Sequence, residues 1–591
     1  ARGVHGGCTG GAYRADGGPG PTESLRYLKL RDISDRSVPA LTFCRIPGNG
    51  TPPSRLPLGL RIRHTPSMIK GFLTVGGWTL LSRVLGFVRD ILIARFLGTG
   101  AAAEAFFVAF SLPNMFRRFF AEGAFNMAFV PLYAKKLEAD PEEADAFARD
   151  ALAMMVLVLT LFSVIGILAM PALVLAMASG FAGDERFDLA VAYGRIAFPY
   201  ILLISLGALV SGVLNSNRRF LAAAAAPALL NVVFIAAMTL AWIAPEAVQT
   251  WLAVPSLPRA VGWLLIAAVP FGGLAQLGLV AWAARRAGHR LWPRRRPRLT
   301  PDLKRLLIIA APALLANGVL QVNLLVGRQV ASLGEQGAIA WLSYADRLYQ
   351  LPLGVVGIAI GIVLLPELSR RIRAEDAPGQ KAAYSRAAEF SLLLTIPAMV
   401  AFLVVPIPLV SVLFERGEFA ADDTAATALA LMIYAIGLPA FVLQKVLQPL
   451  FYAREDTRSP LRFALFGLVA NAAIAIGLFP FIGWPAAAFG TTVASWAMLL
   501  LLWRGVRRMG DVGRIDARAR GRVWRILVAS ALMGVVLWAS QFVLGPTLIG
   551  PLRAVVLAAM VVVGMGSYAL FALLTGAATR DDLRMMIRRQ R

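Results

Sequence analysis

Fourteen apolar segments follow one another between residues 69 and 577. Most exceed the roughly 20 residues a helix needs to cross about 30 Å of hydrocarbon. Such a chain has few folds open to it. Inside lipid every backbone amide must be satisfied by the protein itself, and continuous apolar runs of this length achieve that as helices. The fold class is therefore all-α: a polytopic membrane protein with fourteen transmembrane helices. With 58% hydrophobic residues and a mean hydropathy of +0.67, the composition excludes a soluble globular protein of this size.

The 591-residue chain carries a formal net charge of +25, which in a soluble protein would point to nucleic acid. Here the basic residues cluster in short connections. Arg218–Arg219, RRAGHRLWPRRRPR (285–298), RRIR (370–373), REDTR (454–458), RGVRRMGDVGRIDARARGR (504–522) and the tail MIRRQR (586–591) are basic. They alternate with GTGAA, GFAGDERFD, PEAVQTW, LGEQG, RGEFAADD and FIGWP, which are neutral, acidic or weakly charged. The positive-inside rule explains this pattern without a nucleic-acid partner and puts both termini in the cytoplasm. The acidic stretch KKLEADPEEADAFARD (135–150) falls on the same side. Its Asp140-Pro141-Glu142-Glu143 reads as the cap and first turn of a solvated helix rather than as a carboxylate centre.

Residues 1–67 are rich in Gly, Pro and Arg and contain no long apolar run. They read as a disordered extension, with Met68 as the natural start. The two cysteines, Cys8 and Cys44, lie within it, and none of His5, His64 and His289 falls inside an apolar span. Neither a metal site nor a cofactor is expected in the membrane.

The chain also repeats itself. FVPLYAKK (129–136) is answered by LLPELSRR (364–371), Pro199 by Pro439, and Asn231 by Asn471. Spans 1–6 (residues 68–300) and 7–12 (301–508) thus form two six-helix lobes in parallel repeat. Residues 509–591 add spans 13–14 and a basic tail. A parallel repeat suggests a transporter whose site lies between its halves.

Within the spans, charges are costly and mark pathways. The first span holds Arg83, Arg89 and Asp90 in SRVLGFVRD (82–90). On a helical wheel Arg83 and Asp90 lie within about 20° of each other and Arg89 points roughly a third of a turn away. Arg95, near the helix end, reads as snorkelling. The second span carries Arg117, Arg118 and Glu122 after the helix-loosening Pro113. The eighth carries Asp346 and Arg347, and the tenth Lys445. Positive side chains outnumber negative ones, and arginine is the residue that grips phosphate bidentately in desolvated places. The expected ligand is an anion.

SRVLGFVRD, EAFFVAFSLPNMFRRFFAEGAFNMAFVP (104–131), FPYILLISL (198–206) and SYADRLYQLPLGVVGIAIGIVLLPELS (343–369) closely resemble the MurJ/MviN lipid II flippases. That family belongs to the multidrug/oligosaccharidyl-lipid/polysaccharide exporter superfamily, and the similarity runs over about residues 68–580. The resemblance implies two lobes around a central cavity and a groove on spans 13–14 for a long lipid tail. It implies flipping, not catalysis: export of lipid II, the undecaprenyl-diphosphate disaccharide-pentapeptide, across the bacterial inner membrane. The partners it implies are lipid II and membrane lipids, and the chain is expected to act as a monomer. The family's cavity arginines fall on Arg83, Arg89, Arg117 and Arg347 and its first-helix aspartate on Asp90, with Arg118 and Asp346 beside them. Secondary candidates are Glu104, where relatives often have Asp, Glu122, Lys445, and Gln350, where some relatives have Glu. That last departure leaves any coupling ion unidentified. A flippase for another polyprenyl-diphosphate-linked glycan shares the physics. A membrane-embedded glycan transferase would need acidic or His chemistry at the interface, which the sequence does not display.

Overall fold

A computed structural model describes residues 66–118, 124–292 and 299–579, and its elements among them are helical, without a strand. In chain order the first set is α1 (Pro66–Leu97), α2 (Ala101–Arg117), α3 (Ala124–Ala139), α4 (Pro141–Leu168), α5 (Met170–Met177), α6 (Glu185–Ala197), α7 (Tyr200–Ser216), α8 (Phe220–Ile243), α9 (Pro245–Leu252) and α10 (Leu257–Arg286). The second set is α11 (Pro301–Ser332), α12 (Ala338–Arg373), α13 (Ala377–Val404), α14 (Pro406–Phe414), α15 (Ala421–Tyr452), α16 (Arg458–Ile482) and α17 (Pro485–Arg507). A final pair, α18 (Ala517–Leu544) and α19 (Arg553–Leu574), follows.

Local chemistry sets the boundaries. The Asp140 carboxylate accepts the Glu142 amide at 2.8 Å with Pro141 at the first helical position of α4. Asp140 is thus a helix cap, as the sequence indicated. Asp516 caps α18 in the same way, accepting from the Ala519 amide at 2.7 Å. The repeat is not followed strictly: Pro199 separates α6 from α7, whereas Pro439 lies inside the continuous α15.

Ten stretches of described helix are long and apolar enough to cross a membrane. The other expected spans fall on α1, on α2 with α3, on α11 and on α12. Large apolar side chains such as Leu168, Ile243, Phe481 and Phe542 stand exposed on the outer faces, where lipid rather than water is the compatible solvent. The chain is a multi-pass membrane protein. The pair α18–α19 packs on α13, where the Tyr568 hydroxyl donates to the Leu393 carbonyl at 2.7 Å and Ile526, Ala529 and Ala572 bury against Leu392 and Ile396.

The two helix sets meet most closely at the end formed by the weakly charged connections. Besides a bond from Gln329 Nε2 to Ser179 Oγ, six hydrogen bonds cross between them there among the described residues. Tyr344 Oη donates to the Gly98 carbonyl (2.8 Å), Thr99 Oγ1 to Asp423 Oδ1 (2.6 Å) and the Glu418 amide to the Arg95 carbonyl (2.9 Å). The amides of Ser179 and Gly180 donate to the side chains of Gln329 and Ser332, each at 3.1 Å. The sixth runs from the Ile339 amide to Glu104 Oε1 at 3.0 Å. Gly98, at φ +58°, lies so close to Glu418 that a Cβ there would come within 2.3 Å of its carbonyl oxygen. At the opposite, basic end the described polar link between the sets is one ion pair, Lys136 Nζ to Asp302 Oδ2 at 2.9 Å.

Candidate anion site

Asp90 is the hinge of the charged belt. It is buried, as is Arg89. Arg89 folds back along its own helix, donating from Nε and Nη2 to Asp90 Oδ1 at 3.0 and 2.7 Å. Its remaining Nη1 donates to Asn231 Oδ1 at 2.8 Å, and Asn231 in turn donates to the Ser82 carbonyl at 3.0 Å. The ring of Phe234 lies 5.7 Å from the guanidinium. The guanidinium is thus fixed by hydrogen bonds to α1 and α8 and by an aromatic face. From the other helix set, Arg347 Nε reaches Asp90 Oδ2 at 3.3 Å. One carboxylate therefore serves two arginines, one from each set.

The wheel had placed Asp90 beside Arg83. In the structure the length of the Arg89 side chain overrides its wheel position, and Arg83 turns instead to α12. A Cβ on Gly354 would sit 2.4 Å from Arg83 Nη1, so the absence of a side chain at 354 is what admits the guanidinium. Arg118, which follows the last turn of α2, donates to Gln321 Oε1 on α11 at 3.4 Å. Arg117 is half-buried beside it. Asp346 accepts from the exposed Gln350 one turn later on α12.

Arg328 on α11 joins this group, within electrostatic reach of Asp346, Arg347, Tyr434 and Arg118. Among the described residues neither Arg83 nor Arg328 has an ion-pair partner. The belt thus holds Arg83, Arg89, Arg117, Arg118, Arg328 and Arg347 against Asp90 and Asp346. Guanidinium forks in that excess are suited to a phosphate or diphosphate. No group of three or more His, Cys, Asp or Glu among the described residues could hold a metal ion.

The family model described as lipid II flippase MurJ matches residues 93–557. The chain belongs to the MurJ lipid II flippase family. It is 42% identical over 535 residues to a probable lipid II flippase MurJ of Rhizobium tropici, covering 89% of this chain and 97% of that protein. It is 37% identical over 478 residues to the lipid II flippase MurJ of Burkholderia cenocepacia, covering 80% and 90%. A solved lipid II flippase MurJ in an inward closed conformation superposes with a TM-score of 0.70 at 23% identity, covering 85% of this chain and 98% of that one. An inward-facing multidrug-resistance MATE transporter of the MOP superfamily gives 0.59 at 16%, covering 75% and 99%. At those identities the two structures establish the shared fold.

Other candidates stand apart from the belt. Glu104 is fully buried in the seam: Oε2 accepts from Arg186 Nη1 at 2.9 Å while Oε1 accepts the Ile339 amide at the start of α12. Arg186 also bonds Asp184 at 2.5 Å and lies 4.6 Å from the Phe181 ring. Burial would raise the Asp184 carboxyl, but its hydrogen bonds from Arg186 outweigh that and hold it below the usual range. Lys445 is exposed on α15, and no described contact joins it to the belt. Glu122 lies outside the described residues. Two belt residues escaped the sequence reading. Arg328 is a charge inside the apolar seventh span, the signal that singled out Arg83. Asn231 was visible only as a repeat position.

Proposed function

We propose that the chain flips lipid II from the cytoplasmic to the outer leaflet of the bacterial inner membrane by alternating access, without chemical change to the cargo. The observation that carries this is Asp90 shared between Arg89 and Arg347: one carboxylate bridging the two helix sets and leaving a surplus of guanidinium beside it. In this reading the diphosphate binds the surplus and displaces the Arg347–Asp90 contact. Binding then loosens one side of the belt while charge balance is kept. The tail stays in hydrocarbon along α18–α19. The reading includes fourteen spans in two lobes, both termini in the cytoplasm, and a monomer.

The tightly sewn end, formed by the weakly charged connections, is then the periplasmic gate in its closed state. No GxxxxGK[ST] loop occurs in the sequence, so outward movement draws on the membrane field. Two negative charges leaving across about 100 mV gain about 4–5 kcal/mol. The test is the leaflet distribution of lipid II in cells depleted of this protein and complemented with it. Precursor trapped on the cytoplasmic leaflet and released by the wild-type chain supports the reading. An unchanged distribution refutes it.

A further inference from the structure

The end of the molecule read above as periplasmic carries an arginine cluster that the central belt does not explain. Arg95 stands in the last turn of α1, Arg416 in the connection between α14 and α15, and Arg553 opens α19. Three separate parts of the chain therefore converge here. The Arg95 carbonyl accepts the Glu418 amide at 2.9 Å, and Gly417 packs so tightly on Arg95 that a Cβ would approach its carbonyl oxygen to 2.2 Å. The Arg95 guanidinium lies 5.1 Å from the Trp242 ring and 5.4 Å from that of Phe96. Arg416 Nη2 donates to the Val412 carbonyl, but its Nε is buried with no hydrogen-bond partner.

None of the three arginines has an ion-pair partner among the described residues. The neighbouring Glu415 accepts from Thr424 at 2.8 Å instead. Burial, then Arg553, then Arg95 push the Arg416 guanidinium below the usual arginine range. Arg553 also occupies the first turn of a helix, where the macrodipole is already positive and a cation is disfavoured. Burial and both neighbouring arginines act on Arg416 in the same direction. An isolated arginine at a membrane edge can snorkel into water. Three held together, with a buried Nε left over, form a site short of an anion.

The surroundings define what kind. Trp242 and Ile243 on α8, Ile407 on α14, and Leu552 and Val555 beside Arg553 are all more than half exposed. The cluster is thus rimmed by apolar surface that only acyl chains would cover well. Basic pockets between transmembrane helices on the cytoplasmic side take phospholipid headgroups, and the same guanidinium–phosphate chemistry operates at either face. We propose that Arg95, Arg416 and Arg553 bind the phosphate of an anionic phospholipid, its acyl chains lying on the adjacent apolar rim. Such a lipid ties α1, the α14–α15 connection and α19 together beside the seam. It therefore favours the closed form of this end. The leaflet it comes from follows from the orientation proposed above; the binding itself does not depend on it.

The full-length protein, reconstituted in nanodiscs of phosphatidylcholine with graded phosphatidylglycerol, provides the test. Native mass spectrometry counts the phosphatidylglycerol retained. The Arg416→Gln/Arg553→Gln variant should retain one phosphatidylglycerol fewer than the wild type and need about tenfold more of it for thermal stabilisation. The Arg416→Lys/Arg553→Lys variant, which keeps the charges, should recover part of the loss and show that the Gln variant's effect is electrostatic. Equal phosphatidylglycerol counts for wild type and the Gln variant overturn the proposal. So does full displacement of the retained phosphatidylglycerol by millimolar inorganic phosphate in the mixed discs, which would make this a site for a free anion.

Discussion

Glu104 and Asp90 invite comparison: both are buried carboxylates that join the first helix set to the second, and they differ in how their charge is met. Glu104 has one arginine, Arg186, on one oxygen and the Ile339 amide on the other. Its account closes. Asp90 is shared by Arg89 and Arg347, with Arg83, Arg117, Arg118 and Arg328 assembled beyond it. Its account does not close. Intramembrane charge alone therefore fails to separate structure from function, since both regions have it. What separates them is whether local pairing exhausts the positive charge. In the seam it does, and the result is a fastener; in the belt it does not, and the proposed cargo site rests on that surplus.

The sharpest way to break this comparison is to remove belt arginines. Arg89→Ala and Arg347→Ala should each abolish complementation while membrane protein levels stay near normal. Each deletion still leaves Asp90 one arginine partner, so no charge is stranded. Arg→Lys at either position should rescue poorly, because a point charge cannot reproduce the two-pronged contact with phosphate. Growth complementation read beside immunoblot levels decides the matter. If both alanine variants support growth, the surplus has no cargo to hold.

Glu104→Ala should produce the opposite signature. It strands Arg186 in buried surroundings with only Asp184 as partner and leaves the Ile339 amide in the first turn of α12 uncapped. Breaking a buried pair by deleting one side costs about 3–5 kcal/mol, so protein level and melting temperature should fall before any transport defect can be seen. Glu104→Gln keeps an acceptor oxygen for only one of the two donors and turns an NH2 toward the other, so it should lie between. A Glu104→Ala protein of normal stability that fails in transport would move this residue from the seam into the cargo path.

These expectations show what the sequence could and could not convey. Helical class and family were legible, the first from segment length and the second from four characteristic stretches of sequence. The partners were not. Periodicity placed Arg83 with Asp90, but a wheel treats side chains as points on a rim, and arginine is long enough to fold onto its immediate neighbour. Glu104 entered as a secondary candidate through the family resemblance, at a position where relatives often have Asp. Only the packed structure shows that Arg186, 82 positions further on, meets its charge. Arg328 was missed for a different reason. It carries the same signal as Arg83, a charge inside an apolar span, but its company of Asp346, Arg347 and Arg118 exists only once α11, α12 and α2 are brought together.

The finest test concerns geometry rather than charge. Gly354→Ala adds a single methyl group to α12, 2.4 Å from Arg83 Nη1 and 3.3 Å from its Cζ. The obstructed atoms are the far end of a flexible side chain, so the helix need not move and the guanidinium swings aside. Alanine also favours helix over glycine by about 0.5–1 kcal/mol. Melting temperature should therefore stay level or rise slightly. Transport should fall, because the displaced fork no longer faces the space between the sets. Losing about 1 kcal/mol of phosphate contact corresponds to roughly a fivefold weaker cargo affinity. Gly76→Ala on α1, with nothing within 4 Å of the added methyl, is the matched control: it carries the same helix-propensity gain and should leave transport unchanged. A Gly354→Ala protein that transports as well as the Gly76→Ala control would show that Arg83 rests against α12 for packing alone, and the belt's working surplus would shrink by one arginine.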